Sequence, residues 1–129
     1  MSDQSCSKFY QTIFQDFDLK KWNNTNFTSY ATCNGDCNII GCLTIIPNYR
    51  FPNVDHIWLC GVDNNYRKNG IFKRLFGMYA KYCTEFISIA TYADNRWPVI
   101  RQWIKKRGVL KYVKDGKETY IIHKSMLNT

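Results

Sequence analysis

The chain has 129 residues, 45% of them apolar, and its 18 Lys and Arg against 10 Asp and Glu give a formal net charge of +8. That length suits one domain over residues 1–129 and excludes a second of ordinary size, and no run approaches the ~20 apolar residues of a membrane span. The positive charge suits a polyanionic partner, whether nucleic acid, an anionic membrane surface or a multiply phosphorylated small molecule, and does not choose among them.

The opening residues Met1-Ser2-Asp3-Gln4-Ser5 carry no apolar run behind a basic patch, so the expected location is cytoplasmic, without a signal peptide. Six cysteines, at 6, 33, 37, 42, 60 and 83, do not form a disulfide framework by spacing, and several lie in apolar runs where a free thiol packs as a small hydrophobe.

Phe9, Ile13 and Phe17, with Tyr10 and Phe14 beside them, recur about every four residues and predict an amphipathic helix from Phe9 to Trp22. Residues 28–32 and 38–46 read as strands joined through the hairpin signal Asn34-Gly35, with Pro47 ending the second. Residues 56–62 are apolar on both sides, as in a strand at the centre of a covered sheet. Ile71, Leu75, Met78 and Tyr82 share a helical face over residues 70–83, with Phe72, Phe76 and Tyr79 widening it. A short strand over 86–91 follows, then a helix over 97–107, capped by Asp94 or Asn95 and closed by Gly108, then a hairpin over 110–124 turning at Asp115-Gly116. This order predicts an α/β (α+β) domain, a mixed sheet covered by helices, with the central strand–helix–strand unit bringing a helix N-terminus to the carboxyl edge of the sheet.

Residues 63–75 join the buried strand to the strongest helix. A helix N-terminus leaves about four N–H groups unpartnered and carries roughly half a positive charge, so it draws phosphate, and Gly70 lets backbone come close. Arg67, Lys68, Lys73 and Arg74 add positive field at the same point. The segment is neither a three-glycine dinucleotide fingerprint nor a P-loop.

Within it, Tyr66-Arg67-Lys68-Asn69-Gly70-Ile71-Phe72-Lys73-Arg74-Leu75, following Trp58-Leu59-Cys60-Gly61-Val62-Asp63, resembles the signature of the GNAT acyltransferases: Arg or Gln, two residues, Gly, one residue, then Gly or Ala. Arg67 and Gly70 match, and Phe72 replaces the small residue, which implies that its ring turns toward the sheet. Asn95 between a strand and a helix, with Gly108-Val109 after that helix, resembles the family's later strand–Asn–helix–Gly-Phe stretch, so the likeness runs from about residue 28 to 126.

The resemblance implies a GNAT-like mixed central sheet flanked by helices, with an acyl-CoA cleft between two splayed central strands. It implies acetyl-CoA as cosubstrate, backbone groups at Val62 and Asp63 on its pantetheine arm, and the N–H groups of Arg67, Lys68, Asn69, Gly70, Ile71 and Phe72 on its diphosphate, with Lys73 and Asn95 nearby. It also implies N-acetyl transfer to a primary amine by direct attack, with a base, an oxyanion-stabilising strand N–H and an acid for the leaving thiolate.

His56, where some members carry a glutamate, is the candidate base, with Asp63 behind it. The family's acid tyrosine is replaced by Ile104, so Tyr92 and then Tyr120 are the candidate acids. Cys60 lies on the same side of its strand as His56 by simple alternation but has no evident activating group. The short region before the hairpin implies an open acceptor cleft suited to a peptide or protein amine, and an exposed edge leaves room for a homodimer. Two other readings stay open: a CoA-binding module of the same fold without catalysis, and a basic nucleic-acid-binding domain, the less favoured of the partners.

Overall fold

The computed structural model describes residues 3–47, 50–67, 69–94 and 97–128. Helix α1 (Asp3–Ile13) and the short α2 (Leu19–Asn23) precede strands β1 (Thr28–Cys33), β2 (Ile39–Pro47) and β3 (Asp55–Val62). A 3-10 turn (Asn64–Tyr66) leads into α3 (Ile71–Tyr79), followed by β4 (Phe86–Tyr92), α4 (Pro98–Arg107), β5 (Gly108–Lys114) and β6 (Lys117–His123), with a last 3-10 turn at Lys124–Asn128. Among the described residues no helix is long and apolar enough to cross a membrane.

The strands form one mixed sheet in the order β1-β2-β3-β4-β6-β5. Among the described residues only β3 and β4 pair in parallel, because α3 carries the chain between them, and the remaining neighbours are antiparallel. One face is covered by α3 and α4, whose Leu75, Phe76, Tyr79 and Ile104 pack over Leu43, Ile57, Ile87, Ile89 and Ile122. On the other face α1 and α2 lie over β1 to β3, burying Cys6, Phe9, Tyr10 and Trp22 against Cys42, Trp58 and Leu59. Over β4, β6 and β5 that second face is more open, with Phe86 43% and Val109 64% exposed.

The single helix expected over 9–22 is two helices with a break at 14–18. At about 100° per residue, Trp22 would stand some 120° round a straight helix from Tyr10 and miss the sheet. The break instead gathers Phe9, Phe14, Phe17 and Trp22 around the Tyr10 ring, all with centroids 5.7 to 5.9 Å away. The Asp18 carboxylate restarts the chain as a helix by accepting from the Lys21 N–H at 3.0 Å. Helix α3 stops at Tyr79, so Tyr82, expected on its buried stripe, is 76% exposed. Helix α4 starts at Pro98 behind Trp97, without a side-chain cap, so Asp94 is not its cap.

Both hairpins form where the sequence places them. Asp115 (φ 54°) and Gly116 (φ 77°) are both left-handed, the mirror-image turn that suits strand twist. The first hairpin differs: Asn34 Oδ1 accepts from the N–H groups of Asp36 (2.9 Å) and Asn38 (3.1 Å), and Cys37 rather than Gly35 is the left-handed residue. The six cysteines are all free thiols.

Candidate active site

Strands β3 and β4 pair over three rungs, Asp55 with Ile87, His56 with Ser88 and Ile57 with Ile89. Beyond these β3 continues to Val62 and β4 to Tyr92 without pairing to each other, although each stays paired along its other edge to β2 or β6. A sheet is therefore split at its centre, and strand-edge N–H and C=O groups line the gap. This is the splayed pair that the sequence resemblance implies.

Register defines what faces the gap. Thr44 pairs with Leu59 while Ile45 pairs with Ile57, so Trp58 is an extra residue, a β-bulge. The bulge places both Trp58 and Leu59 on the α1 face, and Cys60 on the α3 face with Ile57 and Val62. Cys60 is thus on the opposite side of the sheet from His56, contrary to simple alternation, and burial pushes its thiol far above the ordinary range. It is a core residue.

At the far end of β3 the Asp63 N–H donates to Ile40 O (2.8 Å) and the Asp63 carbonyl accepts from the Tyr66 N–H (2.9 Å). Strand amides alternate in direction, so Val62 aims its N–H at the gap while the Asp63 N–H is turned to β2. The Asp63 carboxylate accepts from the Asn65 N–H (2.9 Å), and Arg67 Nε donates to Val62 O at 3.4 Å. Asn34 Nδ2 reaches the Tyr66 hydroxyl at 3.1 Å and pins this loop to the first hairpin.

Gly70 sits immediately before α3 in the left-handed region, at φ 75° and ψ 18°, with no atom within 4 Å of where a Cβ would stand. Among the described residues no side chain caps the helix, so the first-turn N–H groups of Ile71, Phe72 and Lys73 have no side-chain cap. Phe72 does not turn toward the sheet. Ile71, Leu75 and Phe76 occupy that side, and Phe72 is 36% exposed, stacked at 6.2 Å on Phe76, which stacks in turn on Trp103 of α4 at 4.7 Å. Lys68 and Asn95 lie outside the described residues.

His56 stands on the last rung but one before the split, its Nδ1 2.7 Å from Ser88 Oγ. Burial, and then the charge of Lys117, push its pKa down to about 4, so the ring is neutral at physiological pH. Alternation along β4 puts Ser88, Ala90 and Tyr92 on this same side, with Tyr92 about 13 Å beyond Ser88 at ~3.3 Å per residue. The Lys117 Nζ lies 5.9 Å from the centre of the Tyr92 ring.

Tyr120 is on the other side of the sheet, opposite Ile89, with its hydroxyl donated to Glu118 Oε1 at 3.2 Å. Glu118 accepts two bonds from Arg101 of α4, at 2.9 and 3.1 Å, which hold its carboxyl below the usual range, while burial and then Glu118 raise the Tyr120 hydroxyl. Beside this group the Thr91 hydroxyl is buried without a hydrogen-bond partner in the structure.

A family model described as the acetyltransferase (GNAT) family matches residues 2–98. The chain belongs to that family. Among solved structures it resembles a GNAT-family acetyltransferase of Staphylococcus aureus Mu50, with a TM-score of 0.73 at 15% identity over 95% of this chain and 92% of that one. It also resembles NAA60 of Arabidopsis thaliana in complex with acetyl-CoA, with a TM-score of 0.66 at 18% identity over 94% and 92%. A third likeness is to a streptothricin acetyltransferase of Bacillus anthracis in complex with acetyl-CoA, with a TM-score of 0.62 at 19% identity over 84% and 69%. At such identities the likeness is one of fold. No curated protein sequence matches the chain.

Three features of this GNAT domain escaped sequence reasoning. Ser88 is a polar residue between Ile87 and Ile89 in a buried strand, and that mismatch was a legible signal. Thr91 carried the same signal. Lys117 had none, because its approach to Tyr92 depends on β6 lying beside β4.

Proposed function

We propose that the protein is an acyl-CoA-dependent N-acyltransferase that moves acetyl from acetyl-CoA to a primary amine by direct attack in a ternary complex. The observation that carries this reading is the split between β3 and β4, which ends at the uncapped, Gly70-led N-terminus of α3. The geometry suits acetyl-CoA in three ways. The N–H groups of Gly70, Ile71, Phe72 and Lys73 suit the diphosphate, with Arg67 close by on the same loop. Val62 has a strand N–H for the pantetheine arm, and the orphaned Thr91 hydroxyl on the wall of the split suits a polar group of the cosubstrate.

In this reading a neutral amine enters from the α1 face and attacks the thioester carbonyl. The new N–C bond forms as the C–S bond breaks, His56 Nε2 takes the proton from nitrogen, and the departing thiolate takes one from Tyr92 or water. Ser88 holds the ring, since an Nδ1–H donated to its Oγ leaves Nε2 free to accept. Tyr120 faces away from His56 and serves the Glu118 and Arg101 contact between β6 and α4.

One observation favours a second reading, a CoA-binding domain without catalysis: Ile104 is fully buried where the family's tyrosine acid would stand. Calorimetric titration with acetyl-CoA, desulfo-CoA and ADP at two salt concentrations separates the readings. Tight one-to-one binding that changes little with salt supports the cosubstrate site, and thiol release with an amine then distinguishes enzyme from binding module. Binding of nucleic acid alone, falling steeply with salt, sinks both.

A further inference from the structure

Beyond the split, the half of the sheet not covered by α1 presents a floor whose chemistry bears on the acceptor. Ser88, Ala90 and Tyr92 of β4 share this face with their partners Ile121, Thr119 and Lys117 on β6, and Tyr112 of β5 stands opposite Thr119. The Arg50 guanidinium lies 4.2 Å over the Tyr112 ring. Residue 50 belongs to the connection between β2 and β3, and β5 is three strand spacings from β3, about 14 Å. Arg50 therefore stands over the floor on this face, away from the part that α1 covers. His56, Lys117 and Arg50 thus share this face of the sheet, where Phe14 of α1 meets Trp97 at 6.3 Å.

The carboxylates nearest in sequence are directed elsewhere. Asp55, next to His56, is on the α3 face and accepts from the Tyr79 hydroxyl at 2.8 Å, and Glu118, next to Lys117, is on the α4 face with Arg101. Glu85 meets His123 at 3.5 Å beyond the start of β4, and Asp18 caps α2. Asp16 lies in the α1 to α2 link, and Asp94 and Asp115 lie in the turns at the far end, beyond Tyr92 and Lys114. Lys117 is the charged neighbour acting on His56, and it acts in the same direction as burial.

A positive field beside the base favours loss of the acceptor's ammonium proton and repels a second ammonium, while offering a partner to an acid group. We propose that the acceptor is an amine bearing a carboxylate close by, either a free amino acid or a peptide with an acidic residue at its N-terminus, its carboxylate held by Lys117 and Arg50 while its nitrogen meets His56. This rests on the acyltransferase reading, and it sets the acceptor apart from polyamines, which bring only positive charge.

The test follows thiol release from acetyl-CoA with amino acids, acidic dipeptides, the corresponding carboxamides and linear diamines as acceptors, alongside calorimetric titration of acetyl-CoA alone. The carboxylates are expected to exceed their carboxamides in kcat/KM by tenfold or more, a gap that closes in Lys117→Gln and survives in Lys117→Arg. Arg50→Gln narrows it. The ratio of free amino acid to dipeptide rates tells which source the site takes. Equal rates for acids and amides, or a preference for diamines, overturn the inference and leave acetyl transfer standing. Acetyl-CoA binding with none of these acceptors turned over also overturns it. Failure to bind acetyl-CoA removes the acyltransferase reading beneath it.

Discussion

The Nδ1 atom of His56 on β3 lies 2.7 Å from the Oγ atom of Ser88 on β4, a bond across the last parallel rungs before the sheet divides. An imidazole held in this way, with a pKa pushed down to about 4 mainly by burial, is already deprotonated across the neutral range, as the proposed base requires. The expected kcat/KM profile therefore shows no His56 limb near the ordinary 6.5, and activity falls only as pH approaches about 4. His56→Ala should lower kcat by about a hundredfold or more, and Ser88→Ala by less, since it frees the ring without removing it. Unchanged kcat in His56→Ala would show that the base is elsewhere.

The same depressed pKa has a consequence for stability. Between about 4 and 6.5 the unfolded chain binds a proton at this imidazole and the folded chain does not, so stability is full above 6.5 and falls as pH drops through that window. Below it the Glu118 carboxyl, lowered first by Arg101, contributes a further loss as it protonates. Urea midpoints at pH 7 and pH 5 should differ more for the wild type than for His56→Gln. Parallel curves for the two proteins would mean that the ring is as hydrated folded as unfolded.

Gly70 separates backbone strain from ligand chemistry, because its φ is 75° while the space around it is empty. Gly70→Ala should cost about 1–2 kcal/mol through the left-handed conformation alone, and Gly70→Asn less. Gly70→Glu adds a carboxylate at the helix N-terminus. Its thermal midpoint should match that of Gly70→Ala, while its acetyl-CoA affinity falls at least tenfold further. Equal affinity in the Ala and Glu variants would remove the diphosphate from this loop.

Much of this architecture was legible because it rests on local patterns. The apolar stripe of α3 and the alternation of the strands set out the elements, and the Asp115-Gly116 turn followed from its two left-handed residues. What stayed hidden depends on register and on contacts distant in sequence. The bulge at Trp58, which sends Cys60 to the α3 face, is set by the pairing of β3 with β2 and leaves no mark in the apolar run itself. The break after α1 is fixed by Trp22 meeting Trp58 at 5.7 Å, and a periodicity test sees only the four-residue spacing that precedes it. The loop glycine and its basic neighbours mark the proposed phosphate-binding end from sequence alone, whereas the proposed acceptor end draws on β3, β4, β6 and Arg50, which only the fold brings to one face.

With Ile104 in place of the family's tyrosine, two hydroxyls compete for the role of acid, and the sheet separates them. Tyr92 ends β4 on the His56 side of the split, while Tyr120 is buried on the α4 side and donates to Glu118 at 3.2 Å. Burial and then the Glu118 charge raise the Tyr120 hydroxyl, which makes it a poorer proton donor to a thiolate and a firm donor in a static hydrogen bond. Tyr120→Phe should therefore cost about 1 kcal/mol of stability, a fall of a few degrees in Tm, with kcat within twofold of wild type. Tyr92→Phe should lower kcat tenfold or more, most strongly at high pH, where water is a weak substitute for a lost acid. If the two substitutions exchange these effects, the thiolate departs on the α4 face and Tyr120 is the acid. If neither lowers kcat, water protonates the thiol.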